Sequence, residues 1–147
     1  MTDNILKLFS MKGKIVLITG GAHGIGYSLG IAYAQVGAKI VFNARHQAGV
    51  ETGLAAYEKE GIKAYGYVCD VTDETAVATM MQQIEAEVGS VDVLVNNAGI
   101  ISRLPMLDMT ASDFRKVVDV DLTGPFIMAK AVLPAMIQKG GGKIINI

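Results

Sequence analysis

Three glycines with the spacing Gly20-x-x-x-Gly24-x-Gly26 are the residues whose placement most directly indicates chemistry. They follow the apolar run 14–19 and precede an apolar stretch with helical periodicity, so they lie between a predicted strand and a predicted helix. Glycine permits a tight turn, and the first N–H groups of a helix have no intrahelical partner. This combination predicts a cradle for a pyrophosphate group. The alternative is that the glycines only allow the helix to pack closely on the strand.

The end of the second predicted strand, 39–43, indicates which dinucleotide would bind. An acidic residue at this point would bind the adenosine ribose hydroxyls and repel a 2′-phosphate. The chain has Ala44 and Arg45 there, and a guanidinium group is suited to binding phosphate. We therefore expect NADP(H), with NAD as the less favoured cofactor. In the alternative interpretation, Arg45 is a solvated loop residue.

Histidine and cysteine do not form a metal-binding pattern. His23 and His46 lie on separate predicted loops, with no carboxylate or thiol at ligand spacing, so we expect no metal site. Cys69 is the single cysteine and lies in an apolar run, which favours a small buried hydrophobic residue over a reactive thiol. A lone cysteine excludes an internal disulfide and fits a reducing cytoplasm, where we expect the protein to be located.

Composition narrows the classes of function further. The chain has 147 residues, of which 51% are hydrophobic and 18% charged, which suits one domain with strands buried on both faces. A net charge of −1 provides no basic field for nucleic acid or for an anionic membrane surface. We expect no apolar run long enough to span a bilayer, and we interpret residues 1–13 as an N-terminal arm rather than a signal peptide.

The apolar periodicity alternates between strand-like and helix-like stretches along residues 14–147, which we interpret as one domain. The predicted strands are 14–19, 39–43, 63–69, 91–95 and 143–147, and the predicted helices are 24–37, 47–61, 74–88 and 112–139. Thr72 or Asp73 would cap the third helix, and the last helix should be interrupted near Gly124-Pro125. Such alternation with short connections predicts a parallel sheet with helices on both faces.

Four ordered motifs resemble those of the short-chain dehydrogenase/reductase family. They are Thr19 to Gly26, Asp70-Val71 after the third strand, Asn96-Asn97-Ala98-Gly99 after the fourth, and 142–147 as the fifth strand. The resemblance implies a Rossmann-type doubly wound parallel sheet with strand order 3-2-1-4-5, truncated after the fifth strand, which would be an edge. With Arg45, the implied cofactor-binding residues are Gly20, Ala22, His23, Gly24, Ile25, Gly26, Asp70, Val71, Asn97, Ala98 and Gly99.

The same resemblance defines the catalytic residues that the family uses, namely Ser, Tyr and Lys, with Tyr-x-x-x-Lys after the fifth strand. That lysine lowers the pKa of the tyrosine, which exchanges a proton as hydride moves to or from nicotinamide. The five tyrosines are at positions 27, 33, 57, 65 and 67, and none has lysine four residues later. Asp121 lies where the family usually has a catalytic Asn; it is either a relay acceptor or a polar residue at a helix irregularity.

Further details of the resemblance concern cofactor and substrate. His23 lies where NADP-preferring members often have Lys or Arg. The runs 41–43, 64–73 and 97–101 are most similar to those of gluconate 5-dehydrogenases within the family, which implies a polyol or sugar-acid substrate such as gluconate or 5-ketogluconate. Ser102 and Arg103 either meet such a substrate or belong to a surface loop. By the same resemblance we expect a homo-oligomer and an exposed apolar surface on the helix that begins near Ser112.

Three hypotheses follow from these observations. The chain is part of an NADP(H)-dependent oxidoreductase that is not competent for turnover by itself; or it is a non-catalytic dinucleotide-binding module; or it is a remnant with no selected role. NADPH binding without turnover would favour the module, whereas poor stability with no ligand effect would favour the remnant.

Overall fold

The computed structural model describes residues 7–147 and contains a single five-stranded parallel sheet within them. Its strands are β1 (Ile15–Thr19), β2 (Lys39–Ala44), β3 (Ala64–Val68), β4 (Val93–Asn96) and β5 (Lys143–Asn146). The order across the sheet is β3-β2-β1-β4-β5. This confirms the predicted Rossmann-type topology, with β1 paired in register to β2 from Ile15 opposite Lys39.

The helices follow the predicted order. They are α1 (Gly24–Gln35), α2 (Gln47–Lys59), α3 (Glu74–Glu87), α4 (Ala111–Val118) and α5 (Gly124–Gln138). Of the two proposed caps for α3, Asp73 is the one used, because its carboxylate accepts hydrogen bonds from the N–H groups of Thr75 and Ala76 at 2.9 and 3.0 Å.

Two apolar clusters cover the two faces of the sheet, as a doubly wound fold requires. Side chains of β1 alternate between them, so Leu17 belongs to one cluster while Val16 and Ile18 belong to the other. The first cluster joins the sheet to α3 and α5 through Met80, Ile84, Met128, Val132 and Met136. The second joins the opposite face to α1 and α2 and contains Phe42 and Tyr57. Cys69 lies in the first cluster and is 2% exposed, as predicted for a buried hydrophobic residue.

The long helix after residue 110 is irregular at a slightly earlier point than predicted. Residues Asp119–Thr123 form one widened turn between α4 and α5, in which the Gly124 N–H donates to the Asp119 carbonyl five residues back. Pro125 has no N–H to donate, and its ring crowds the preceding turn. The proline is accommodated at the start of α5, so the distortion falls before Gly124-Pro125.

The expectation that no stretch is long enough to span a bilayer is wrong by length and composition alone. The continuous helical stretch Ala111–Gln138 has 28 residues and is apolar enough to meet that criterion. However, its α5 part buries Ile127, Met128, Val132 and Met136 against the sheet of the same chain. This packing accounts for part of the apolar composition of α5, whereas Phe126, Leu133 and Ile137 of the same helix are exposed.

The two ends of the described chain are packed differently. Residues 1–6 of the predicted arm lie outside the described residues. From its remainder, the Met11 N–H donates to the Val36 carbonyl at 2.8 Å, which ties the arm to the end of α1. At the other end β5 is an edge strand, as predicted, and all four of its residues are exposed.

Candidate functional site

The carboxyl ends of β1, β2, β3 and β4 surround a cleft of about 300 Å³. The adjacent parallel strands bring together loops that are far apart in sequence. Apart from Gly26, every residue that was expected to bind the cofactor lines this cleft, namely Gly20, Ala22, His23, Gly24, Ile25, Arg45, Asp70, Val71, Asn97, Ala98 and Gly99. Asn43, Ala44, Cys69, Ile100 and Val120 complete its lining.

The glycine turn at the floor of the cleft depends on the absence of side chains. Gly20 and Gly24 have φ angles of +64° and +58°, the left-handed region that glycine adopts without strain. Gly26 is buried behind the cleft, where a Cβ atom would lie 2.5 Å from the Asn97 amide nitrogen and 3.0 Å from the Gly20 carbonyl oxygen. Gly26 therefore allows α1 to approach both β1 and the loop after β4.

The start of α1 opens at this cleft without a side-chain cap. The preceding residue, His23, has extended backbone angles and makes no capping hydrogen bond through its side chain. Capping residues normally satisfy one of the free N–H groups in the first helical turn. Here those groups remain available to an anionic ligand, and the helix dipole favours negative charge at the same point.

Thr19 fixes the loop after β4 to the glycine turn, a role that the motif analysis did not assign. Its hydroxyl oxygen accepts hydrogen bonds from the N–H groups of Asn97 and Ala98 at 3.0 and 2.9 Å. The Asn97 side-chain amide in turn donates to the Thr19 carbonyl at 2.9 Å. The Asn97 amide nitrogen is thus occupied within the protein, and Asn97 is held in place where it lines the cleft.

Asn43 is a second positioning residue that the sequence analysis missed. It is 2% exposed; its side-chain oxygen accepts from the Gly20 N–H at 3.3 Å, and its amide donates to the Cys69 carbonyl at 2.8 Å. One side chain therefore connects the glycine turn to the end of β3. The only signal in the sequence is a polar residue at the end of an otherwise apolar strand.

The carboxylate of Asp70 is held at the rim of the cleft. It accepts hydrogen bonds from the Thr72 N–H at 2.9 Å and from the Thr72 hydroxyl at 2.7 Å. The Thr72 N–H is the largest cause of a lowered pKa for Asp70; partial burial opposes it, whereas the Thr72 hydroxyl and electrostatic interactions with Arg45 and His46 contribute to the lowering. Asp70 is therefore an ionised acceptor at neutral pH, close to the cationic side chain of Arg45.

Asp121 lies beside the main cleft rather than in it. It lines a smaller recess of about 190 Å³ between the ends of β4 and β5, and its carboxylate accepts from the Ile100 N–H at 2.9 Å. In the same recess the buried Asn96 amide donates to the Asn146 side-chain oxygen at 2.9 Å. Asp121 therefore fixes the backbone after Gly99, and its relay role stays a prediction.

Other candidate residues make weaker contributions. Across residues 7–147 no group of three or more His, Cys, Asp or Glu side chains could hold a metal ion. Burial, with the negative charges of Asp70 and Asp73, raises the pKa of the Cys69 thiol to about 11, so it stays protonated at neutral pH. Ser102 and Arg103 follow the loop after β4 but do not line the cleft or the recess.

Comparison with known proteins agrees with this geometry. The family model described as short chain dehydrogenase matches residues 14–147. A 2-dehydro-3-deoxy-D-gluconate 5-dehydrogenase of Formosa agariphila is 48% identical over 141 residues, which cover 95% of this chain and 53% of that protein. The chain thus spans about half the length of this curated relative.

Solved structures give the same result. The 2-keto-3-deoxy-D-gluconate dehydrogenase of Streptococcus agalactiae has a TM-score of 0.88 and 57% identity, over 99% of this chain and 55% of that one. A gluconate 5-dehydrogenase of Burkholderia cenocepacia J2315, in complex with NADP and tartrate, has a TM-score of 0.88 and 39% identity, over 97% and 56%. The chain belongs to the short-chain dehydrogenase family.

Proposed function

We propose that this chain holds NADP(H) for an oxidoreductase that interconverts an alcohol and a ketone on a sugar acid, such as gluconate and 5-ketogluconate. The observation that carries the proposal is the convergence of an uncapped helix start, a guanidinium and an ionised carboxylate on one cleft. These groups match the phosphates and the adenosine of a dinucleotide. The proposed binding residues are the twelve named above, with Gly26 acting through the packing of α1.

The donors at the glycine turn are suited to the pyrophosphate. The first turn of α1 has free backbone N–H groups, and the Ala22 N–H makes no hydrogen bond to the described part of the chain. Ala22 is only 5% exposed, so an unpaired donor there is unfavourable unless a ligand or water accepts from it. An anion in the cleft would satisfy this group, and the structure therefore fits a phosphate-containing cofactor.

The preference for NADP(H) over NAD(H) rests on Arg45 and His23. Both side chains are exposed and both residues line the cleft, and β2 ends in Ala44 rather than in an acid. A guanidinium can form two parallel hydrogen bonds to a 2′-phosphate, whereas an acidic residue would repel it. The similar gluconate 5-dehydrogenase from Burkholderia was solved with NADP, which supports the same choice.

Bound cofactor would supply hydride transfer at the nicotinamide. Residues of this chain would hold its adenosine half, while Asp121 fixes the Ile100 backbone beside the recess toward β5. The names of the relatives support a sugar-acid substrate, since one is a 2-dehydro-3-deoxy-D-gluconate 5-dehydrogenase and another is a gluconate 5-dehydrogenase. We also propose a homo-oligomer in the cytoplasm for the enzyme.

We propose further that these 147 residues bind the cofactor without turnover. No tyrosine is followed by lysine four positions later, so the proton-transfer pair used by the family is not among them. The competing hypotheses are a non-catalytic binding module and a remnant without a role. Binding of NADPH would favour the module over the remnant.

The test is a titration of the 147-residue protein with NADPH and NADH, followed by cofactor fluorescence. We expect saturable binding that is tighter for NADPH, and no NADPH oxidation when 5-ketogluconate is added. Absence of binding to either cofactor would contradict the proposed cofactor site. Measurable reduction of 5-ketogluconate would contradict the claim that these residues do not turn over substrate.

A further inference from the structure

A buried tyrosine on α2 reaches the glycine turn from behind. Tyr57 is fully buried, and its hydroxyl donates to the Gly21 carbonyl at 3.0 Å, across 36 residues of sequence. The ring is held between Phe42 and Tyr27, with centroid distances of 5.4 and 4.9 Å. Burial is the main cause of a pKa above the ordinary tyrosine value, so the hydroxyl stays a donor throughout the neutral range.

The opposite helix leaves room for this hydroxyl. Gly30 lies inside α1, and a Cβ atom at that position would overlap the Tyr57 hydroxyl oxygen. Glycine in a helix interior is less favourable than alanine, so its presence there indicates a packing requirement. A second glycine, Gly53 on α2, lies so close to the turn that its Cβ would be 3.0 Å from the Ala22 Cα atom. Thus α2 supports the turn at two adjacent residues.

The bond to Gly21 fixes a peptide group that faces the cleft. The C=O of Gly21 and the N–H of Ala22 belong to the same planar trans peptide and point in opposite directions. Because Tyr57 holds the oxygen on the α2 side, the Ala22 N–H is turned away from Tyr57. That N–H makes no hydrogen bond to residues 7–147, and Ala22 lines the cleft.

We propose that Tyr57 is a positioning residue of the dinucleotide cleft, whose hydroxyl sets the orientation of the Gly21–Ala22 peptide and so aims the Ala22 N–H at the cofactor phosphates. This inference rests on the proposed function, since it assigns a residue to the same cofactor site. Packing between Phe42 and Tyr27 requires only an aromatic ring, which phenylalanine would also supply. The hydroxyl of Tyr57 therefore has a separate role, which is its hydrogen bond to the Gly21 carbonyl.

The test compares Tyr57→Phe with Tyr27→Phe in the 147-residue protein. Tyr27 is a matched control, because its hydroxyl also bridges α1 and α2, by donating to the Ala56 carbonyl at 3.1 Å, and Tyr27→Phe leaves the bond of the Tyr27 backbone N–H to the His23 carbonyl intact. Each variant loses one oxygen atom and one hydrogen bond. We expect Tyr57→Phe to raise the Kd for NADPH about fivefold, the effect of one neutral hydrogen bond, and Tyr27→Phe to change it less than about twofold.

A second readout separates failure of this inference from failure of the proposed function. In amide NMR spectra without cofactor, Tyr57→Phe should shift the Gly21 and Ala22 signals, and Tyr27→Phe should leave them in place. Equal NADPH affinity in both variants and the wild type would overturn the positioning role. If the wild type itself fails to bind NADPH, the proposed function is contradicted, and unshifted Gly21 and Ala22 signals in Tyr57→Phe would then overturn the peptide orientation as well.

Discussion

The centre of the sheet at β1 and its edge at β5 differ in how completely the chain buries them. Strand β1 is enclosed on both faces, and Val16, Leu17 and Ile18 have no exposed surface. Strand β5 lies at the edge with all its residues exposed, and Ile144 and Ile145 are each 37% exposed. Exposed apolar side chains also occur in α4, α5 and the turn between them, at Phe114, Leu122, Phe126, Leu133 and Ile137.

The buried polar side chains near β1 and those near β5 also differ, in whether they have hydrogen-bond partners. Around β1 the polar side chains of Thr19 and Asn43 are buried and paired within the chain. Beside β5, the buried Asn96 has a side-chain oxygen with no partner among the described residues. Paired buried groups hold a site rigid, whereas an unpaired one is unfavourable. The polar groups beside the glycine turn are therefore paired within the chain, whereas the recess toward β5 keeps one buried oxygen that has no partner among residues 7–147.

Substitution of Gly26 by alanine should cause the largest loss of NADPH affinity. The new methyl group would meet the Asn97 amide and the Gly20 and Gly21 backbone, so the turn must shift. We expect NADPH affinity to fall by about 100-fold, equivalent to about 3 kcal/mol. The measurement is the fluorescence titration, with Gln35→Ala, an exposed position at the far end of the same helix, as control. Unchanged affinity in Gly26→Ala would contradict the proposed role of the close approach.

Asp92 should carry the next largest effect, on stability rather than binding. Asp92 precedes β4 at the amino end of the strands, opposite the cleft, and is 9% exposed; its carboxylate accepts from Lys139 Nζ at 2.7 Å and from the Ile15 N–H at 2.9 Å. We expect Asp92→Asn to lower the free energy of unfolding by about 2 kcal/mol, because the charge-assisted bonds are lost. Asp108→Asn, on an exposed loop, is the control for denaturant unfolding.

The pH dependence of stability sharpens this prediction. Burial alone would raise the pKa of Asp92, but hydrogen bonds from Lys139 and Ile15, with the charges of Lys139 and Lys14, lower it overall. A lowered pKa in the folded state adds stability above the ordinary value of about 3.9, and this is lost as pH falls through the folded-state pKa. Thermal unfolding between about pH 5 and pH 2 should therefore change less in Asp92→Asn than in Asp108→Asn; equal slopes would contradict the assignment.

Arg45 should affect only the choice between cofactors. Removal of its guanidinium eliminates a partner for the 2′-phosphate of NADPH, and NADH has no such group. For Arg45→Ala we expect about a tenfold rise in the Kd for NADPH and little change for NADH, the effect of one exposed charge-assisted contact. Arg115→Ala, on an exposed part of α4, is the matched control. A parallel loss for both cofactors would place Arg45 outside the 2′-phosphate site.

The exposed apolar side chains of α5 should promote self-association of the chain while contributing little to its stability. Phe126 and Ile137 are 62% and 73% exposed, and we expect the double change Phe126→Gln with Ile137→Gln to reduce self-association of the chain. Stability should change by only about 0.5 kcal/mol, because both side chains are on the surface. Light scattering at high concentration is the measurement, with Leu107→Gln in the exposed loop as control. A monomeric wild-type chain under these conditions would contradict this interpretation.

The strands and helices could be predicted from the sequence, but the contacts that position the glycine turn could not. Apolar runs located all five strands, and the capping pair Thr72 or Asp73 located the start of α3, because these signals are local. The contacts of Thr19, Asn43 and Tyr57 with the glycine turn and its neighbouring loop join residues 23 to 79 positions apart, and no periodicity encodes such pairings. The interruption predicted near Gly124-Pro125 is found immediately before it, as the widened turn Asp119–Thr123, whose form as one wide turn the sequence did not indicate.

The most direct test of the account is to map NADPH binding on the amide NMR spectrum of the 147-residue protein. We expect the perturbed signals to fall at the glycine turn from Gly20 to Gly26, at Arg45, at Asp70 and Val71, and at Asn97 to Gly99. The amides of β5 and of the amino end of β4 near Asp92 should remain unchanged. Perturbations centred on those two regions, or a spectrum unaffected by saturating NADPH, would contradict the claim that the first four strands hold the cofactor.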